Sequence, residues 1–249
     1  MMNVKVLASG SEANCVWIGN EQTSVLIDIG LPKTKVEKIL VENGIDPTKI
    51  DGVFITHEHK DHCKGVAFAD KYKIPVYASE GTLKALDRLE SGKDVSGPIG
   101  FDVFSESFLF VNSFTVHHDA FEPVGYTVTD YNGEKVSVLM DTGKVTGEMI
   151  GAMMDSSVYV FECNHDIDMV NDGPYHDDLK RRVLSDTGHL SNEAAAAALA
   201  LLVRGKGERI LLTHMSSNNN MPALALATVK RTLKAKGFIE GNHYHLEVV

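Results

Sequence analysis

Four groups able to bind a metal, His57, His59, Asp61 and His62, fall within six consecutive positions of the segment Phe54-Ile55-Thr56-His57-Glu58-His59-Lys60-Asp61-His62. An apolar run that ends in this way reads as a buried strand emptying into a turn. At a strand end, side chains two residues apart project to the same side, so His57 and His59 can face one point. The turn that follows can carry Asp61 and His62 to a second. Imidazole and carboxylate are the ligand types suited to zinc, iron or manganese. A lone histidine is ordinarily a surface residue or a satisfied core residue, whereas four such groups after one apolar strand point to a metal centre.

The His-x-His-x-Asp-His pattern after an Ile-Thr strand resembles the signature of the metallo-β-lactamase superfamily, and that resemblance implies further residues of the same chemistry at strand ends, matched here by Asp28 in Leu26-Ile27-Asp28-Ile29-Gly30, Asp141 in Val138-Leu139-Met140-Asp141-Thr142-Gly143, and His214 in Leu211-Leu212-Thr213-His214. His117 and His118 are adjacent, and only one of them can face inward from a strand end.

These later residues follow in that superfamily's order. The resemblance covers almost the whole chain. It implies an α/β fold, a four-layer αββα sandwich of two mixed β-sheets flanked by helices, as a single domain over 1–249. Position by position, it implies one metal held by His57, His59 and His118, a second held by Asp61, His62 and His214, and Asp141 bridging them. His118 is preferred to His117 because His118-Asp119-Ala120, with Glu122-Pro123 after it, resembles the family motif. Asp28 resembles a residue that braces the metal loop, and a strand-terminal turn residue would look the same. Two divalent metal ions are implied, zinc or manganese, with iron also compatible. Such metals lie about 3.5–4 Å apart around a water whose pKa falls to about 7, which makes a bridging hydroxide available as nucleophile. Asp61 is therefore both a ligand and a candidate catalytic residue.

Asp186-Thr187-Gly188-His189-Leu190-Ser191-Asn192 resembles the Gly-His-Ser element of RNase Z-type members, in which the histidine is linked to leaving-group protonation. His189 is accordingly a candidate general acid or phosphate contact, and equally a loop histidine in a helix cap. Glu162, in Phe161-Glu162-Cys163-Asn164-His165-Asp166, could orient His189 or a ligand. Ser9 and Ser11 around Gly10 could form a backbone nest for phosphate, although this pattern is also an ordinary turn. Ser191, Asn192, Ser216 and Asn218 could offer neutral donors to an anionic substrate.

Together with Asn14-Cys15 and Asn218-Asn219-Asn220, these motifs resemble the YycJ/WalJ branch of the superfamily, whose members are regarded as DNA exonuclease-like phosphodiesterases. The implied partner is nucleic acid, above all DNA ends, or a small phosphodiester. The length leaves no room for the extra domain of RNase J, and no protruding arm for tRNA is visible. The alternative is a thioester or lactone hydrolase, glyoxalase II-like or lactonase-like, on the same ligands. A β-lactamase fits less well, because many carry cysteine where Asp141 stands. Redox diiron relatives place glutamate where His59 stands, which argues for hydrolysis. A catalytically silent binding module would have no reason to keep every ligand.

The elements that must position these residues are legible as short runs rich in Val, Ile, Leu and Phe: 4–8, 13–18, 24–28, 52–56, 75–78, 108–116, 124–129, 135–140, 158–161, 210–213 and 244–249. Between them, helical spacing covers 32–43, 81–89, 146–154, 177–184, 192–203 and 222–236, with Pro32 and Pro222 at first turns, Ser191 as a cap, and Gly44, Gly205 and Gly237 after helix ends. The Asn132-Gly133 pair predicts a tight turn between strands, so two sheets with outer helices fit better than purely alternating βαβ units. The stretch 90–97 reads as a surface loop.

With 249 residues, 43% hydrophobic and 23% charged, the chain has an ordinary globular balance. A formal charge of −10 argues against a broad basic face for nonspecific nucleic-acid binding. Local exceptions are Lys180-Arg181-Arg182 and Lys230-Arg231 with Lys234 and Lys236, the latter read as a solvated helix face. No leader-like or membrane-spanning run is evident, so the expectation is a cytoplasmic protein with no membrane partner. Three cysteines, Cys15, Cys63 and Cys163, without a CxxC pair, fit reduced thiols. A homodimer could supply contacts that one chain lacks.

Overall fold

Runs that are apolar at every position suit strands covered on both faces. They form the central strands of this computed structural model, which describes residues 2–20, 22–101 and 106–249. In chain order the strands and helices are β1 (Asn3–Ala8), β2 (Cys15–Gly19), β3 (Ser24–Ile27), α1 (Lys33–Glu42), β4 (Gly52–Phe54), α2 (Lys60–Cys63), α3 (Ala67–Tyr72), β5 (Val76–Ala78), α4 (Glu80–Ala85), β6 (Lys93–Asp94), β7 (Ile99–Phe101), β8 (Leu109–Thr115), β9 (Val124–Asp130), β10 (Lys135–Leu139), α5 (Gly147–Met153), β11 (Val158–Glu162), α6 (Ile167–Asp172), α7 (Asp177–Val183), α8 (Asn192–Leu202), β12 (Glu208–Thr213), α9 (Pro222–Ala235) and β13 (Tyr244–Val248). The class is α/β, with two mixed sheets, β1 to β6 and β7 to β13, flanked by helices.

The chain divides into two units, Met1–Ser113 with Ala120–Glu134, and Phe114–Asp119 with Lys135–Val249. In the first, β1, β2 and β3 are antiparallel neighbours, and β3, β4, β5 and β6 run parallel. Parallel neighbours require crossover connections, supplied here by α1, by α2 with α3, and by α4. The core of this unit gathers Leu26, Val53 and Ile55 with Val36, Leu40 and Phe68. In the second unit β10, β11, β12 and β13 are all parallel, and Tyr159, Phe161 and Leu212 share a core with Leu199, Leu202, Val229 and Leu233. The crossovers are therefore more numerous than the hairpin-weighted sequence reading implied.

Local chemistry explains the boundaries. Ser191 Oγ accepts from Ala194 N at 3.1 Å to cap α8, Asp166 caps α6, and Pro222 opens α9 where its missing N–H is harmless. Gly133 takes φ +78° in the turn after β9, where Asp130 Oδ1 receives both Asn132 N and Glu134 N. The predicted loop 90–97 instead contains β6, a two-residue strand that pairs with β5. Its residues are exposed, so no apolar signal marks it. The elements α2, α3, α6 and β7, and a 3₁₀ turn at Pro47–Lys49, are too short for periodicity to reveal. Among the described residues no helix is long and apolar enough to cross a membrane.

Candidate metal centre

Asp28, Asp141 and His214 each follow the C-terminal end of a parallel strand, the edge where open α/β sheets place ligands. All three adopt left-handed backbone, with φ of 59°, 52° and 53°. That conformation costs a non-glycine residue about 1–2 kcal/mol. It turns each chain sharply as the strand ends and aims the side chain off the strand axis.

In the first unit, Asp28 is fully buried and organises the turn after β4. Its Oδ1 accepts from Thr56 N at 2.8 Å, and its Oδ2 accepts from His62 Nδ1 at 2.7 Å. Burial pushes the Asp28 carboxyl up, against the opposing pull of His62 and the Thr56 donors. Because His62 gives its Nδ1 proton to Asp28, its Nε2 carries the lone pair. Nε2 stands 3.3 Å from Asp61 Oδ2 and 3.1 Å from the Asn14 amide nitrogen. His57 is directed in a related way, with Nδ1 3.0 Å from Thr56 Oγ1, and its ring lies 4.5 Å from that of His59 and 4.2 Å from that of His62.

Backbone weaving fixes these donors. Asn14 N donates to Asp61 O, Ile29 N to His62 O, and Gly30 N to Asn14 O, each at 2.8 Å, and Gly65 N donates to Ile29 O at 2.7 Å. A Cβ on Gly30 would lie 1.7 Å from Asp61 O. Gly30→Ala is therefore expected to cost about 3 kcal/mol by overpacking, read in calorimetry as a melting midpoint lowered by roughly 6–12 °C.

In the second unit the centre of organisation is Glu162, which has no exposed surface. Its Oε2 accepts from Thr142 N at 2.9 Å, and its Oε1 lies 2.8 Å from His189 Nδ1 and 3.3 Å from His214 Nδ1. Asp141 Oδ1 is 2.9 Å from His214 Nδ1 and 3.1 Å from His189 Nδ1. Burial would raise Glu162, but the facing His189 charge and the hydrogen bonds from His189 and His214 outweigh it and leave the carboxyl below its ordinary range. Burial would likewise lower His189, yet the Glu162 charge and the bonds to Asp141 and Glu162 push it up to about 9.

His118 is buried and sets Nδ1 3.1 Å from Gly188 O, so the ring donates there and keeps the Nε2 lone pair. Burial holds its pKa below the usual imidazole value, against the charge of Asp141. His117 is less buried and is held through its backbone, by Thr142 Oγ1 and Gly143 N.

The donor chemistry fits divalent cations. Ligand atoms of Asp141 and His214 lie within 4.8 Å of each other, with Glu162 and His189 equally near them as their hydrogen-bonding partners. His62 and His118 are held in the tautomer that leaves Nε2 as donor, a recurrent arrangement of metal-ligating histidines.

Other residues singled out from the sequence are placed as follows. Ser191 caps α8. Asn192 is fully buried and exchanges two amide hydrogen bonds with Asn220, at 2.9 and 2.8 Å, while accepting from the Cys163 thiol at 3.0 Å. Its side chain thus braces the loop from within. Ser216 Oγ accepts from Asn218 N and Asn219 N, and the Asn218 amide reaches Tyr175 Oη at 3.4 Å. Ser9 is half-buried and Ser11 exposed. His165 is buried, and desolvation lowers its pKa to about 4, so it is neutral. In the basic cluster, Lys180 reaches Asn171 O at 2.6 Å, Arg181 pairs with Asp178, and Arg182 holds Asp119 with two bonds of 2.6 and 3.1 Å. All three cysteines are free.

Sequence reasoning missed the supporting roles of Thr56, Asn14 and Asn164, whose amide donates to His214 O at 2.8 Å. An asparagine or threonine beside a strand-end ligand was the available signal.

Residues 24–215 match the sequence model of a family described as the Beta-lactamase superfamily domain. The chain is 37% identical over 249 residues to Exodeoxyribonuclease YycJ of Bacillus anthracis, covering 98% of this chain and 94% of that protein. It is 35% identical over 234 residues to Exodeoxyribonuclease WalJ of Streptococcus pneumoniae serotype 2 (strain D39 / NCTC 7466), covering 92% and 87%. Among solved structures, unliganded yeast PDE1 superposes with a TM-score of 0.71 at 12% identity, over 100% of this chain and 97% of that one. At that identity the likeness is one of fold.

Proposed function

The chain belongs to the metallo-β-lactamase superfamily, and from that membership we propose that it is a metal-dependent phosphodiesterase, an exonuclease acting on DNA ends. Relatives at 37% and 35% identity named exodeoxyribonucleases support the substrate class. The observation that carries the reading is the His189–Glu162 contact of 2.8 Å beside Asp141. A phosphodiester expels an alkoxide that needs a proton, whereas a thioester expels a thiolate that leaves without one. A histidine whose Nδ1 is tied to a buried carboxylate, next to metal-type donors, is placed to deliver a proton, which favours the phosphodiester over the thioester reading. A lactone also expels an alkoxide, so a lactone panel belongs in the same assay.

In this reading, which follows the family resemblance, His57, His59 and His118 would hold one divalent cation, and Asp61, His62 and His214 a second, with Asp141 available to both. Zinc and manganese are the favoured metals. When bound, such a pair polarises the phosphoryl oxygen and lowers the pKa of water. The protein's own part is orientation and proton delivery. Asp28 and Gly188 O fix the tautomers of His62 and His118. Glu162 holds the His189 Nδ1 proton, so that Nε2–H is the group offered to the departing oxygen. Ser9, Ser11, Ser216 and Asn218 remain the proposed neutral contacts to the substrate. Reduced thiols and a DNA substrate suit a cytosolic protein, and a homodimer would extend the surface available to a strand.

The test incubates metal-reconstituted protein with end-labelled single- and double-stranded DNA and RNA across Zn, Mn, Co and Mg, with Asp141→Asn as control. Absence of cleavage under every metal defeats the proposal. His189→Ala is expected to slow DNA hydrolysis by about 10²–10⁴-fold. Its effect on bis(p-nitrophenyl) phosphate should be much smaller, because p-nitrophenolate departs without a proton. Equal losses on both substrates would rule out proton delivery by His189.

A further inference from the structure

Phe121 is 79% exposed, the highest value among the large exposed hydrophobic residues described. Its ring is in water, yet its own N–H and the residues that follow it are held by hydrogen bonds. Phe121 N donates to Glu58 Oε1 at 3.0 Å, Glu122 O accepts from Ser79 Oγ at 2.6 Å, and Val124 N donates to Thr56 O at 3.0 Å. The Glu122 carboxylate takes Gly81 N at 2.7 Å, and it fits there because position 81 has no side chain: a Cβ would lie 2.7 Å from Glu122 Cβ.

Two of these anchors, Thr56 and Glu58, flank His57 in the sequence. The loop bearing Phe121 is therefore built onto the turn that presents His57 and His59. A mobile loop tip could carry an exposed apolar ring without consequence. A hydrogen-bonded loop that holds an aromatic face in solvent, and that is joined to the segment carrying His57 and His59, has the form of a platform, and every nucleobase offers a π-face to stack on it.

Resting on the exonuclease reading above, we propose that Phe121 is a stacking platform for the base of the nucleotide at the DNA end being hydrolysed. The anionic backbone would be handled at the donor sets, and the flat uncharged base would cover the ring. This contact is indifferent to sequence, as an end-processing enzyme requires, because stacking does not read hydrogen-bonding edges.

The experiment compares wild type, Phe121→Ala and Phe121→Trp, all metal-reconstituted, on oligonucleotides that end in a normal nucleotide or in an abasic one. Wild type and Phe121→Trp are expected to favour the base-bearing end roughly 5- to 150-fold in kcat/KM. In Phe121→Ala this preference falls towards one. In parallel, the emission of a terminal 2-aminopurine is quenched on binding to wild type and Phe121→Trp and not to Phe121→Ala. DNA cleavage by wild type without any preference for a terminal base overturns the platform alone. Stacking without cleavage under any metal overturns the nuclease reading and leaves the platform standing. Absence of both cleavage and quenching overturns both.

Discussion

His62→Ala, and separately chelation of wild type, are expected to slow hydrolysis of DNA ends and of bis(p-nitrophenyl) phosphate by about 10³-fold or more. That figure corresponds to losing several kcal/mol of charge stabilisation at the phosphoryl group. His62 is chosen because it is fully buried and tied to a buried carboxylate at 2.7 Å. Its removal deletes a donor and also leaves Asp28 without its imidazole partner, so the melting temperature should fall as well. Asp28→Asn separates these effects. It keeps the shape of the brace while weakening its hold on the His62 Nδ1 proton, and a loss of about 10–100-fold in metal affinity or activity is expected. Metal content per chain, measured after reconstitution, accompanies each assay, with two ions expected for wild type. Undiminished turnover by the chelated protein in metal-free buffer would remove the metal from the chemistry.

The second large effect concerns Glu162. Replacing it by alanine would strand Thr142 N and the His189 proton beside the fully buried place of the lost carboxylate, and breaking such a pair costs about 3–5 kcal/mol. Glu162→Gln keeps an acceptor and removes the charge. The Glu162 carboxylate is a principal reason that the His189 pKa is raised to about 9. In the glutamine variant it should drop, and the alkaline limb of the pH–rate profile should move to lower pH. Turnover at neutral pH should fall by about 10²-fold with a smaller change in melting temperature than for Glu162→Ala. A pH profile identical to that of wild type would show that Glu162 has no part in holding the proton.

Much of this arrangement is legible in the residues themselves. The donors lie at the ends of apolar runs, and strand ends are where a parallel sheet delivers side chains to one edge. The family resemblance singles out Asp28, Asp141 and His214, and the run boundaries agree with it, since each stands where an apolar run ends. The choice of His118 over its neighbour rested on likeness to a family motif, since alternation permits either register. What stayed hidden is contact between segments distant in sequence. Asn14 reaches His62 across 48 positions and Glu162 reaches His189 across 27, and neither separation leaves a periodic trace. As a polar residue of the Gly-His-Leu-Ser-Asn motif, Asn192 is a candidate donor to substrate. Its buried exchange with Asn220 depends on how α8 meets the loop after His214, which residue chemistry cannot specify. The short elements β6 and α2 were illegible for a related reason, because two or four residues carry no periodicity.

The left-handed backbone at Asp28, Asp141 and His214 bears on how the site can be altered by mutation. Asparagine and glycine accept φ near +55°, whereas alanine, glutamate and β-branched residues resist it. At these three positions a change to most side chains would therefore alter the direction in which the chain leaves its strand as well as the donor itself. Asparagine is the replacement that tests the chemistry alone, and an evolving lineage would find few single steps away from the present residues that leave the strand exits in place.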